Sequence, residues 1–330
     1  MTKYFPATHS TLSVKALIAE VLSGYEIPKV SELKFLNIGL NDTYVAQVVG
    51  GKKYILRIYR ANWRSHSEVA YEIEVLNYLG RQGTPVAQPI RRKDGRFIQP
   101  LEAIEGKRYA VLFAYALGTP LTYEEDDNAR SFNYGKVAAK IHSSSQDFSS
   151  AHTRFSLDLN HLMEEPLVSI GPMLSHRSDD WQYLQKLADV IRDCFAAFPS
   201  SELEKGFCHG DLHGGNVHFS KDDAAMVFDF DGCGMGWRAY DLSVWRWSAR
   251  LREKEKICWE PFLSGYQSER SLSEIDLKAI PLFIGIRHFF LLGIHTSNGQ
   301  DWGFGWMNDK YFDKAIEFLK AWEEEHLLAK

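Results

Sequence analysis

The chain has 330 residues, 45% of them hydrophobic, which is enough for one large domain or two lobes with cores of their own and gives no sign of disorder. A formal net charge of -5 and a sequence pI near 6.2 argue against a general nucleic-acid binder, which shows a basic excess or stripe. Residues 1–11 lack the basic start and apolar run of a secretory signal, and no segment is expected to reach membrane-spanning length. Cys194, Cys208, Cys233 and Cys258 have no C-x-x-C spacing, which predicts reduced thiols in a cytoplasmic protein.

In chain order, apolar runs at 33–38, 43–49 and 54–59 are separated by Gly39-Leu40-Asn41-Asp42 and by Gly50-Gly51. They predict a small antiparallel meander with the glycine pair as its hairpin signal. Between Ser65 and Gly80, Val69, Ile73, Leu76 and Leu79 recur at helical spacing, and Gly83 and Pro85 end the pattern. Short strands are expected around 97–99 and 108–113. After Tyr115-Ala116-Leu117-Gly118 the texture changes to long helical patterns, among them 129–142 and 181–198. Residues 207–230 interrupt them with two short apolar runs flanking Lys221-Asp222-Asp223, and helices then resume. The expected architecture is α+β and bilobal: a small N-terminal sheet lobe over 1–115 and a larger, mainly helical lobe over 116–330.

The chemistry is concentrated in His209-Gly210-Asp211-Leu212-His213-Gly214-Gly215-Asn216, followed by Val227-Phe228-Asp229-Phe230-Asp231. Phosphoryl transfer needs a carboxylate to orient the attacking hydroxyl and oxygen ligands to hold magnesium against phosphates. Asp211, Asn216 and Asp229 supply both. The interval from Asp211 to Asn216 equals that of the protein-kinase loop H-R-D-x-x-x-x-N, and Asp229 follows where the D-F-G aspartate would. Two other chemistries use similar residues. A His-x-Asp-x-His run suits zinc or iron in a hydrolase, but it would need further ligands. Phe228-Asp229-Phe230-Asp231-Gly232 resembles the D-x-D start of a haloacid-dehalogenase phosphatase, yet too little chain follows it. A polar turn satisfied by its own backbone would explain one motif, not the ordered set.

The form H-G-D-x-H-x-x-N resembles the aminoglycoside phosphotransferase superfamily, which includes choline kinases, type II homoserine kinases and the bacterial stress-response kinase. The resemblance runs over most of the chain, from the glycine-bearing hairpin to Tyr240-Asp241-Leu242. It implies a protein-kinase-like fold whose lobe 1–115 binds ATP and whose lobe 116–330 is catalytic and binds the acceptor. It implies that Asp211 is the base, that Asn216 and Asp229 bind Mg2+, and that His209 and Asp241 brace the loop.

On the nucleotide side, Gly39-Leu40-Asn41-Asp42-Thr43 lets backbone N–H groups approach phosphates, with Gly39, Asn41 and Thr43 as candidates; an ordinary hairpin reads equally well. Arg57 stands where the superfamily often carries a phosphate-contacting lysine, and arginine differs from lysine in reach and shape. By resemblance Glu72 is its ion-pair partner, with Glu68 one turn earlier as the alternative. Phe113-Ala114-Tyr115 resembles the hinge that meets adenine. Gly232-Cys233-Gly234-Met235-Gly236 reads as a flexible loop.

On the acceptor side, Trp237, Tyr240, Trp245, Trp247, Trp302, Phe304 and Trp306 are close in sequence to Asp231, Asp241, Arg287, His288 and Asn308. Aromatic faces with carboxylates suit an amine-bearing alcohol. Arg287 and His288 suit a carboxylate or phosphate instead. The expected activity is transfer of the γ-phosphate of ATP to a small-molecule hydroxyl on a homoserine, amino-alcohol or aminoglycoside-like acceptor. The competing readings are a Ser/Thr protein kinase of the stress-response type and a nucleotide-binding regulator without catalysis. No nucleic-acid or membrane partner is expected, and the sequence leaves oligomeric state open.

Overall fold

Short turns fold the first β-forming runs into strands β1 (Val30–Ile38), β2 (Asn41–Val48) and β3 (Lys53–Tyr59). In the computed structural model, which describes residues 5–122, 127–199 and 202–328, β4 (Gln99–Ala103) and β5 (Gly106–Ala114) complete an antiparallel sheet in the order β1-β2-β3-β5-β4. The β1–β2 turn is only Gly39-Leu40, with Ile38 paired to Asp42, so Asn41 and Thr43 lie in β2 rather than between the strands. β4 starts at Gln99 because the residues before it close a turn, with the Arg92 N–H donating to the Arg96 carbonyl at 2.7 Å.

Chain packing separates two compact units. The first holds the chain through Leu117 together with Asp147–Arg154 and Met226–Asp231; the second holds Gly118–Gln146, Phe155–Ala225 and the chain from Gly232. A single cut near residue 115 does not capture the two short segments.

In the first unit, the alternation of side chains along β3 separates two roles. Leu56 and Ile58 join Tyr44, Ala46 and Leu112 in a core closed by Val21, Leu22 and Tyr25. Val21 and Leu22 lie in the continuation of α1 (Val14–Ala16) through a π turn, Leu17–Val21, and a 3-10 turn, Leu22–Gly24, and Tyr25 follows in extended conformation. Arg57 and Tyr59 both reach Glu72 on α2 (His66–Arg81). A capping box starts α2: Ser65 accepts from the Glu68 N–H, and Glu68 accepts from the Ser65 N–H.

The second unit is built from α3 (Asn128–Ser144), α4 (Glu165–Met173), α5 (Ser178–Ala197), α6 (Arg238–Arg250), α7 (Glu255–Glu269), α8 (Glu274–Ser297), α9 (Gly299–Trp302) and α10 (Asp309–Glu323). Its sheet has the order β6 (Ser156–Leu157), β10 (Gly234–Trp237), β7 (Lys205–Cys208). Strands β8 (Val217–Phe219) and β9 (Ala225–Val227) flank the expected turn at Lys221-Asp222-Asp223. The stretch expected to be a flexible loop, Gly232–Gly236, is instead the end of a 3-10 turn followed by β10. Gly236 has to be glycine there, since a Cβ would come within 2.6 Å of the Leu157 Cβ on the neighbouring strand. Helix α8 also departs from expectation. Its 24 residues are long and apolar enough to cross a membrane, but 67% of its most apolar stretch is buried within the protein, and it packs on α4, α6 and α10.

Candidate active site

Each unit carries one cluster of the expected functional side chains. In the second unit, the loop leaving β7 places Asp211, whose side chain is 30% exposed. The Asn216 amide, on the 3-10 turn Gly214–Asn216, donates to the Asp211 carbonyl at 2.9 Å and to its Oδ2 at 3.1 Å. Those two bonds hold Nδ2 against Asp211 and so direct Oδ1 away from it. His213 Nδ1 accepts from the Gly215 N–H at 2.9 Å, which puts the ring proton on Nε2, 3.3 Å from Asp211 Oδ2. Arg287 Nη2 donates to Asp211 Oδ1 at 2.5 Å, while its guanidinium lies 5.0 Å from the Trp247 ring and 5.6 Å from the Phe290 ring. Enclosure by protein raises the Asp211 pKa, but His213 and Arg287 outweigh it and hold the carboxyl well below the usual carboxylate range.

The loop is braced from beneath. Asp241, fully buried in the first turn of α6, accepts from the His209 and Gly210 N–H groups at 2.7 Å each. His142 Nε2 lies 2.9 Å from Asp241 Oδ2, and its Nδ1 lies 2.9 Å from the Tyr266 hydroxyl. With Nε2 donating to the carboxylate, Nδ1 accepts from tyrosine, giving a buried strut from α7 through α3 to α6. His209 is also buried, and its Nδ1 accepts from the Asp211 N–H at 3.2 Å.

In the first unit, Arg57 is 7% exposed and bridges two carboxylates: Nη1 donates to Glu72 Oε1 and Nη2 to Asp229 Oδ1, each at 2.8 Å. The Tyr59 hydroxyl donates to the other Glu72 oxygen at 2.8 Å. Burial lowers the Arg57 pKa, but Asp229 and Glu72 outweigh that and push it well up, so the guanidinium stays charged. Glu72, not Glu68, is the partner; Glu68 is occupied by the cap of α2. Asp229 sits in the left-handed region, φ 66°, with its side chain 47% exposed.

The five expected acceptor residues have partners within the protein. The Asp231 carboxylate is 7% exposed and accepts from Trp63 Nε1 at 2.9 Å and Arg64 Nε at 3.1 Å, so its oxygens are committed to the first unit's own side chains. Trp237 is buried in an edge-on stack with Phe195 and beside Phe283. His288 accepts from the Trp247 indole N–H at 3.2 Å and stacks on Phe318 at 4.3 Å, and burial lowers its pKa to about 3. Arg287 donates to Asp211, and Asp241 is engaged by the loop and by His142. Phe304 and Trp306 remain 43% and 41% exposed. Asn308 caps α10 through the Tyr311 N–H. At the expected hinge, Phe113 packs under the Arg57 guanidinium at 5.0 Å, and Lys53 Nζ lies 5.5 Å from the Tyr115 ring centroid.

Sequence reasoning did not single out His142, His213, Trp63, Arg64 or Arg154. His213 stands inside the motif and was legible there. The others come from distant positions, and only folding brings them to their partners.

A family model described as "Phosphotransferase enzyme family" matches residues 32–267. A Deinococcus radiodurans protein described as uncharacterized is 36% identical, over 98% of this chain and 93% of its own. A Neisseria meningitidis homoserine kinase is 26% identical, over 79% of this chain and 81% of its own. Among solved structures, amicoumacin kinase hAmiN in complex with AMP-PNP, Ca2+ and Ami superposes with a TM-score of 0.77 at 23% identity, covering 95% and 94% of the two chains. The loop around Asp211, the Arg57–Glu72 pair and the family match over most of the chain agree: this chain belongs to the phosphotransferase enzyme family.

Proposed function

We propose that the chain transfers the γ-phosphoryl group of ATP, with magnesium, to the hydroxyl of a small molecule. The observation that carries this reading is the Asp211–Asn216 arrangement, in which one loop presents an ionised carboxylate and an oriented amide oxygen. Relatives named for small molecules, homoserine and amicoumacin, support the acceptor class.

Asp211 accepts a hydrogen bond from the acceptor hydroxyl and points its oxygen lone pair at phosphorus. The oxygen–phosphorus bond forms as the bond to the β-phosphate oxygen breaks, and the proton passes to Asp211 late. A carboxylate held so far below its usual range is a weak base, so its main work is orientation, which suits a loose transition state. Asn216 Oδ1 in the second unit and the Asp229 carboxylate in the first are each hard oxygen donors of the kind a divalent cation takes. A metal held by such donors would neutralise phosphate charge. Arg57 then exchanges part of its hold on Asp229 for phosphate oxygens while keeping Glu72, and Phe113 and Tyr115 supply the adenine side.

Magnesium-dependent ATP consumption, followed with a panel of amino alcohols, hydroxy amino acids, aminoglycosides and a protein substrate, tests this. Stimulation by a small hydroxyl compound is the expected result. Stimulation by the protein alone would replace the acceptor class, and no consumption with any of them would remove the catalytic reading.

A further inference from the structure

Asp229 has φ 66°, a conformation that costs a non-glycine residue energy and persists only where the surrounding structure fixes it. The upstream flank is fixed by backbone pairing: the Val227 N–H donates to the Pro85 carbonyl at 3.0 Å, and the Ala87 N–H donates to the Val227 carbonyl at 2.9 Å. On the downstream side, Asp231 in the 3-10 turn Phe230–Gly232 is held by side chains.

Asp231 is gripped at every oxygen. Trp63 Nε1 donates to Oδ2 at 2.9 Å, Arg64 Nε to Oδ1 at 3.1 Å, and Arg64 Nη2 to the main-chain carbonyl at 2.9 Å, where Arg154 also donates. The Arg64 guanidinium lies 4.3 Å from the Trp63 ring, which fixes the fork, and its side chain is 9% exposed. Arg154 is tied in turn to α2, its Nη1 donating to the Glu68 carbonyl at 3.0 Å. The Thr153 N–H donates to Ser67 Oγ at 2.8 Å beside it. Two separate stretches of the first unit, Trp63-Arg64 and the segment ending at Arg154, therefore converge on one aspartate two residues past Asp229.

We propose that Trp63, Arg64 and Arg154 are positioning residues which, through Asp231, hold the backbone of Asp229 in the geometry that binds the metal. This rests on the reading of Asp229 as a metal ligand. The bonds of the clamp run to Asp231 and to the Glu68 carbonyl on α2. Its loss therefore weakens the hold on metal and leaves the hold on metal-free nucleotide intact.

The test measures Mn2+ uptake by the full chain in the presence of a non-hydrolysable ATP analogue, using electron paramagnetic resonance, beside analogue binding without metal. Trp63→Phe removes one N–H and keeps the ring; Arg64→Lys keeps the charge and loses the fork. Each is expected to weaken Mn2+ binding about tenfold, the usual effect of losing a group that orients a metal ligand, with unchanged metal-free analogue binding. If Arg64→Lys fails to fold, Trp63→Phe decides alone. Variants that bind Mn2+ as tightly as the parent overturn the clamp while the kinase reading stands. A parent chain that takes up no Mn2+ with the analogue removes the metal-ligand reading, and the clamp with it.

Discussion

Asp211 and Arg57 are surrounded in opposite ways. Asp211 is a partly exposed carboxylate between the His213 ring and the Arg287 guanidinium, and Arg287 is the better fixed of the two because Trp247 and Phe290 flank it. Arg287→Met should leave Asp211 ionised but loosely aimed, and misplacement of a reacting group by about 1 Å costs roughly 10²-fold in turnover. Unchanged turnover in single-turnover kinetics would show that Arg287 does not position the base. Arg57 is a buried cation between two carboxylates, one of which, Glu72, is fully buried. Removing one partner of such a pair strands the other, so Arg57→Met should lower stability by about 3–5 kcal/mol, read by denaturant melting, and weaken nucleotide binding. At this scale the motif residues were legible because phosphoryl transfer restricts which side chains can serve and at what interval. The partners Trp63, Arg64, Arg154 and His142 were not legible, since an ordinary tryptophan, arginine or histidine carries no local mark of its contact across 77 to 168 residues of chain.

Helix-period and alternating patterns were enough to place α2, α3 and α5 to within a few residues, and the β1–β3 meander was legible from its turns. What those patterns hide is how closely elements approach. Helices α3 and α7 meet backbone to backbone: a Cβ on Gly135 would fall 1.9 Å from the Phe262 carbonyl oxygen, and one on Gly265 would fall 1.9 Å from that of Phe132. Neither glycine marks a turn, so in the sequence they read only as weak points in a helix. Gly135→Ala and Gly265→Ala are each expected to destabilise by about 1–3 kcal/mol through forced separation of the two helices, with the loss visible in the melting midpoint. If alanine raised the midpoint through its helix propensity, this packing would be wrong. The same limit explains the Gly232–Gly236 segment, whose glycines suggested flexibility and instead admit a close strand neighbour.

Two buried histidines, His142 and His288, contribute to the response of the molecule to acid. Burial lowers the pKa of His288 to about 3, and burial likewise lowers that of His142 despite Asp241. The unfolded chain gains protons below the ordinary histidine value of 6.5, whereas the folded chain refuses them. Stability is therefore full above that pH and falls as pH drops toward about 3 for His288. The slope is about 1.4 kcal/mol per pH unit for each such histidine. Denaturant midpoints should thus be lower at pH 5 than at pH 7, and equal midpoints would mean that these rings take up protons in the folded state. The bilobal α+β class was legible from the change of texture after residue 115, but the two short segments that join the first unit were not, because membership of a unit is a property of packing rather than of pattern. The central claim is that Asp211 orients the hydroxyl that receives the phosphoryl group. Magnesium-dependent ATP turnover by Asp211→Asn, measured with the best acceptor beside nucleotide binding, tests it most directly. Turnover should vanish while nucleotide binding stays near that of the parent chain, and turnover at the parent rate would contradict the account.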